Sequence, residues 1–148
     1  VGAARVELVE GPLDAQALRA GPAPGAGGVL EFLGVVRPTE QDRAIRGLRY
    51  EVYQPMALRV LQELGDQAIK RFGLIRLATA HSQGFVPAGA ASFWLAVQAP
   101  HRREALEATA WFIDAMKRDA PIWKTPVFAD GAAVEQRPAP RASEEAAR

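Results

Sequence analysis

The hydrophobic and polar positions change period along this chain, and each change marks an element. From Ala3 to Glu10 charged and apolar residues alternate around Val6, Glu7 and Leu8, the two-residue period of a half-buried strand. Asp14 then stands as the N-cap of a short helix over Ala15 to Ala20. Gly21 to Gly28 is rich in Gly and Pro but lacks the Lys-Ser/Thr ending of a phosphate loop, so it reads as a connector. Gly28 to Val36 is a strongly apolar strand that runs straight into Arg37, and Pro38 to Arg43 is polar and predicts a mobile loop. Alternation returns from Ile45 to Tyr53, with Leu48, Tyr50 and Val52 on one face and Arg49, Glu51 and Tyr53 on the other.

Helical spacing takes over next. Pro55 suits the first turn of a helix, and Met56, Val60, Leu61, Leu64, Ala68 and Ile69 form its apolar stripe as far as Phe72-Gly73. Leu74 to His81 and Ala91 to Gln98 predict two strands joined by a Gly- and Pro-bearing turn over Ser82 to Ala90. Pro100 opens the longest helix, which buries Ala105, Ala108, Phe112, Ile113 and Met116, turns Arg103, Glu107 and Asp114 to water, and stops before Pro121. Ile122 to Phe128 is extended, Asp130-Gly131 is a hairpin signal, and Ala132 to Glu135 predicts the return. The elements lack the regular βαβ rhythm of a doubly wound sheet, so the expected class is α+β with a mostly antiparallel sheet. We expect one domain over residues 1–135 and a disordered tail, rich in Pro, Ala and charge, over residues 136–148.

Composition narrows the function more than the fold. The 148 residues carry a net charge of +1, which argues against a polyanion binder working by bulk charge, and an Arg-rich nucleic-acid module finds no concentrated basic-aromatic motif. No cysteine is present, which removes disulfides, thiolate metal sites and cysteine nucleophiles; two histidines 20 residues apart make a poor metal site. No apolar run reaches membrane-spanning length, and the expected compartment is the cytoplasm.

The candidate chemistry is basic. Of 18 basic residues only Lys70, Lys117 and Lys124 are lysines, and two of these flank the segment Lys-Arg-Asp-Ala-Pro-Ile-Trp-Lys. Lys can lose its proton and Arg cannot, so Lys is the residue able to act as nucleophile or proton donor. Spacing alone fits a solvated helix end as well as a site. Arg37 follows an apolar strand, and His101 and Arg102 begin the long helix, where free N–H groups favour an anion although a cation opposes the dipole. His101 and Lys117 lie 16 residues apart, about 24 Å along one helix. One protomer cannot bring both ends of that helix to one small ligand, so the ligand is long or a second subunit supplies one end. His81 reads as structural or as a pocket wall, and Trp94, Trp111 and Trp123 as core or interface residues.

Four segments, Gly28-Val-Leu-Glu-Phe-Leu-Gly-Val-Val-Arg37, Tyr50-Glu-Val-Tyr-Gln-Pro-Met56, Ala99-Pro-His-Arg102 and Lys117-Arg-Asp-Ala-Pro-Ile-Trp-Lys124, occur in an order and spacing that resemble the large, catalytic subunit of molybdopterin synthase. The resemblance covers about residues 3 to 135. It implies an α/β hammerhead-type fold and a sulfurtransferase that converts cyclic pyranopterin monophosphate to molybdopterin in molybdenum cofactor biosynthesis. The sulfur would come from the carboxy-terminal thiocarboxylate of a small ubiquitin-like subunit whose tail threads into the large one. A homodimer of large subunits would form the core of a heterotetramer with sites near the dimer interface, and neither a cofactor nor a metal is implied. By the same resemblance, Lys117 sits beside the thiocarboxylate and acts in proton transfer or acyl attack, with Lys124 assisting. Arg37, His101 and Arg102 hold the substrate phosphate and orient the pterin. Phe32 and Met56 match positions near the pocket or the partner's tail, which packing explains equally well.

Three places depart from the family pattern. Ser82 stands where Arg is common after the histidine, Ala90 and Ala91 follow Gly89 where an acidic residue is usual, and Thr125 and Pro126 replace a basic residue and Glu after Trp-Lys. Pro126 brings neither a carboxylate nor a backbone donor. These departures motivate a second reading, a non-catalytic relative that still docks a ubiquitin-like tail.

Overall fold

The computed structural model describes residues 2–131. In chain order the elements are β1 (Arg5–Glu10), α1 (Ala15–Leu18), β2 (Gly28–Val35), β3 (Thr39–Glu40), β4 (Arg43–Val52), α2 (Met56–Phe72), β5 (Arg76–Pro87), β6 (Ala91–Ala99), α3 (Arg102–Asp119) and β7 (Ile122–Phe128). All seven strands join one sheet in which only β1 and β5 run parallel, so the fold is α+β and mostly antiparallel, as the alternation predicts.

Strand β5 joins the two halves of that sheet. Its first half pairs with β1 and β6, and its last four residues, Gly84 to Pro87, pair with β4. The change of partner falls at Gly84, whose φ of +80° is a conformation that side chains rarely adopt, and a Cβ there would meet the Glu10 carboxylate. Strand β4 carries β5 on one edge and β7 on the other, with Gly47 where β5 leaves no room for a side chain: a Cβ at Gly47 would lie 2.2 Å from the Val86 carbonyl oxygen.

Helices α2 and α3 cover the β1-β5-β6-β2 half and bury Leu61, Leu64, Ile69, Leu77, Leu95, Val97 and Phe112 in the main core. A second cluster of Val36, Ile45, Leu48, Val86 and Phe128 lies between β4, β5 and β7. The apolar stripes predicted for both helices are the ones that face the core, and β4 buries Leu48 while exposing Arg49 and Glu51.

Several boundaries differ from the sequence expectation, each for a local reason. Helix α1 ends at Leu18, because the Arg19 N–H closes it onto the Ala15 carbonyl in extended geometry. Pro55 is the cap of α2, after a cis Gln54–Pro55 peptide, and α3 starts at Arg102 with His101 as its cap. The stretch expected to turn over Ser82 to Ala90 is strand as far as Pro87, since β4 offers it a second partner; the turn itself is Pro87 to Ala90. Pro38 to Arg43 is a tight β3–β4 hairpin instead of a loose loop. At Asp130-Gly131 the chain does turn, with the Gly131 N–H on the Phe128 carbonyl at 3.1 Å, while the return over Ala132 to Glu135 and the tail lie outside the described residues. Among the described residues no helix is long and apolar enough to cross a membrane.

Candidate functional site

Lys117 and Lys124 meet in one cleft of about 400 Å³ at the carboxy-terminal end of α3. Lys117 belongs to the last turn of α3, where a cation suits the dipole, one residue beyond buried Met116. The helix closes on the Ala120 N–H bonded to the Met116 carbonyl, and the Tyr53 N–H then holds the Pro121 carbonyl at 3.0 Å. That clamp ties the chain to the end of β4, so β7 begins at once and places Lys124 directly opposite Tyr50. Seven residues of sequence thus fold back on themselves, and both lysines line the same space.

Besides the ends of α3 and β7, four other strands line the cleft. Phe32, Gly34 and Val35 of β2 form one wall, and Tyr50, His81, Ser92 and Phe93 line it from β4, β5 and β6. The Tyr50 hydroxyl and Ser92 Oγ lie 2.9 Å apart, and burial, opposed by the Ser92 hydrogen bond and reinforced by the charge of Glu40, pushes the Tyr50 hydroxyl up. His81 is buried, edge-on to Tyr50 with ring centroids 5.1 Å apart. Its Nδ1 lies 2.7 Å from the Ser82 carbonyl, an acceptor only, so Nδ1 carries the proton and Nε2 keeps its lone pair.

Burial holds the His81 imidazole below its ordinary value, with the bond to Ser82 opposing the shift. The unfolded chain therefore takes up a proton near 6.5 that the folded chain resists, so stability from this group is complete above that pH and declines as the pH falls toward the folded value. Denaturant midpoints measured from about pH 7.5 to 5.5 should fall for the native protein and follow a flatter line for His81→Phe. Parallel lines for the two would remove His81 as the cause.

The sequence-predicted residues divide between two places. Lys117, Lys124 and Phe32 line the cleft. Arg37 is not in the lining but is linked to it through Glu40, whose carboxylate lies 3.5 Å from the Arg37 guanidinium and 4.0 Å from Lys124 Nζ. His101 and Arg102 are exposed at the opposite end of α3, and half-buried Met56 starts α2; neither group lines the cleft. Glu40 and Ser92 were not singled out by sequence reasoning, and Tyr50 entered only as a strand and motif residue, because their places in the site depend on strand pairings that no local pattern reveals. At the departures from the family pattern, Ser82 is fully buried and donates to the Gly11 carbonyl at 2.7 Å, while Pro126 sits in β7 opposite Leu48.

A larger hollow, about 560 Å³, lies against the opposite face of the sheet near Arg5, Arg19, Glu31 and Trp94. There Arg19 and the Trp94 indole both bond to Glu31, and Arg5 donates to the Leu18 carbonyl, so much of its polarity is already matched. Among the described residues no three His, Cys, Asp or Glu side chains gather into a metal-binding group. The lysine cleft sets two cations beside an apolar wall, which makes it the candidate site.

Comparison with known proteins identifies the family and the fold. Residues 8–119 match the sequence profile of the MoaE protein family. The molybdopterin synthase catalytic subunit of Pyrococcus abyssi is 34% identical over 134 residues, covering 88% of this chain and 90% of that one. The crystal structure of molybdopterin synthase from Staphylococcus aureus superposes with a TM-score of 0.77 at 29% identity, over 88% of this chain and 96% of that one. A complex of subunits 1 and 2 of the molybdopterin-converting factor from Helicobacter pylori gives a TM-score of 0.72 at 28% identity, over 89% and 91%.

Proposed function

The chain belongs to the MoaE family, and from that premise we propose that its lysine cleft is the active site of a molybdopterin synthase catalytic subunit, built on one domain over residues 1–135. The observation that carries this reading is the convergence of Lys117 and Lys124 on one half-apolar cleft. The relatives named as catalytic subunits favour an enzyme over a module that only docks a tail. In the proposed reaction cyclic pyranopterin monophosphate receives two sulfurs, one from each of two carboxy-terminal thiocarboxylates of the small ubiquitin-like subunit, and each donor ends as a carboxylate after hydrolysis by water. Lys117 meets the thiocarboxylate and moves a proton, Lys124 stabilises developing negative charge, and Arg37 holds phosphate. The assembly we assign is a heterotetramer, a homodimer of this chain with a small subunit on each copy, as the complex of subunits 1 and 2 in the Helicobacter pylori relative supports, and the cytoplasm is the compartment, on a composition typical of soluble globular proteins.

The distance between His101-Arg102 and the lysines supports a homodimer. Strand β2 pairs only with β6 among the described residues, and it exposes Val29, Phe32, Leu33 and Val35, each at least 40% accessible. Gly28 at its start packs against the backbone of Arg102, and its far end, Phe32 to Val35, walls the cleft. A second copy pairing antiparallel along this edge would lay its own β2 start, with His101 and Arg102, beside the cleft of the first. One two-fold axis would then unite cations that a single protomer keeps at opposite ends of α3. Leu33→Asp should convert the dimer to a monomer in sedimentation equilibrium while leaving the circular dichroism spectrum unchanged; a variant that remains dimeric would rule out this edge.

The function itself is tested by mixing the protein with a thiocarboxylated ubiquitin-like partner and the cyclic pterin precursor. Formation of the dithiolene product is the expected result. Failure to form it, with partner binding intact, would favour the docking reading.

A further inference from the structure

Glu40 has no part in the reaction as described so far, yet its Oε1 lies 3.5 Å from the Arg37 guanidinium and 4.0 Å from Lys124 Nζ. It thus stands between an exposed cation outside the lining and a cation of the cleft. Exposure differs among the three side chains: Glu40 retains 21%, Arg37 73% and Lys124 57%. The carboxylate is therefore the enclosed member of the trio, and the two cations are its freer partners. Both separations exceed the roughly 2.7–2.9 Å of a close charge-assisted hydrogen bond, so the contacts hold the cations nearby without locking them.

The backbone around Glu40 is constructed for this placement. Glu40 ends the two-residue strand β3 and pairs with Arg43 across a turn whose two central residues, Gln41 and Asp42, have φ of 53° and 59°. Turns of this kind usually take Asn-Gly or Gly, and non-glycine residues with positive φ persist where the surroundings over-determine them. The surroundings do so here. The Ile45 N–H bonds to the Pro38 carbonyl at 3.0 Å, Arg43 pairs with Asp130 at 2.6 Å, and its guanidinium lies 3.7 Å from the centroid of the Phe128 ring. The charge of Glu40 is also felt by Tyr50 on the cleft wall.

We propose that Glu40 is the resident counter-ion of the cleft, a positioning residue that keeps Arg37 and Lys124 within reach of each other in the empty protein and yields both when an anionic group of the ligand arrives. The inference rests on the reading that Arg37 and Lys124 receive an anion. Without Glu40 the two cations repel and spread into solvent; with it, an entering phosphate-like group must displace a carboxylate, which weakens binding but leaves Lys124 aimed into the cleft. Affinity and turnover should therefore move in opposite directions when the charge is removed, a pattern that simple loss of structure does not produce.

Glu40→Gln keeps the size of the side chain and removes its charge. Titrated with inorganic pyrophosphate, this variant should bind about five-fold more tightly than the native protein, and the gain should vanish in Glu40→Gln combined with Lys124→Ala. In the reconstituted reaction the same variant should lower both KM and kcat. Unchanged pyrophosphate affinity, with native turnover present, would overturn the proposal and leave the enzyme reading standing. A Lys124-dependent gain in pyrophosphate binding, with no turnover even by the native protein, would uphold the counter-ion and overturn the enzyme reading.

Discussion

Lys117→Ala is expected to reduce product formation by at least about a hundredfold, the lower end of what a positioned proton-transfer group supplies, while its unfolding midpoint stays at the native value. The two halves of that expectation come from different facts. Lys117 is exposed at the end of α3, so its side chain contributes little to the core, yet it lines the cleft opposite the apolar wall of β2. Truncation removes the amine proposed to meet the substrate and leaves buried Met116, the helix cap at Ala120 and the Tyr53–Pro121 clamp intact. Lys117→Arg separates charge from proton transfer. Arg keeps the positive charge but cannot give up a proton, so a proton-transfer role predicts an arginine variant as inactive as the alanine one. Recovery of most of the activity by Arg would assign Lys117 to electrostatic stabilisation alone. Single-turnover measurement with the thiocarboxylated partner reads the difference directly, because it does not depend on product release.

The lysines were legible in the sequence because the chain writes nearly every other cation as Arg and because a proline between them signals a change of direction. Strand and helix periods likewise identified the buried faces of α2, α3 and β4, where one face is apolar and the other is charged. What local pattern could not supply was pairing. Tyr50 faces Lys124 only because β4 and β7 run antiparallel in one register, and that register joins residues more than seventy positions apart. The hairpin at Gln41-Asp42 was hidden for another reason: it lacks the glycine that marks such turns, so Pro38 to Arg43 reads as polar loop and Glu40 goes unremarked. The apolar run of β2 misleads in the other direction. Continuous hydrophobicity suggests a strand covered on both sides, whereas β2 lies at the edge with Val29 and Val35 half exposed. A sequence cannot distinguish a strand buried by its own domain from one reserved for a partner, since both are apolar for the same physical reason.

Phe112→Ala should cost about 3–5 kcal/mol of stability, the usual range for deleting a fully buried aromatic ring. Phe112 is wholly inaccessible, at the middle of α3, in the core that also holds Leu61 of α2 and Leu95 and Val97 of β6. The ring is what those elements close around, and the cavity left by alanine would be too enclosed to refill. Leu106 gives the control from the same helix: it is 55% exposed, and Leu106→Ala should change stability by no more than about 0.5 kcal/mol. Urea unfolding at one fixed protein concentration compares the two, since any dimer makes the midpoint depend on concentration. Similar small losses at both positions would mean that the sheet does not hold α3 in place. The distinction bears on function because α3 carries Lys117 at one end and His101-Arg102 at the other. Under the proposed β2 pairing, the two copies of α3 are rigid struts that set the spacing between each cleft and the partner's cations. Loosening the centre of that strut should therefore weaken turnover well below the unfolding midpoint, even though Phe112 itself touches no part of the cleft.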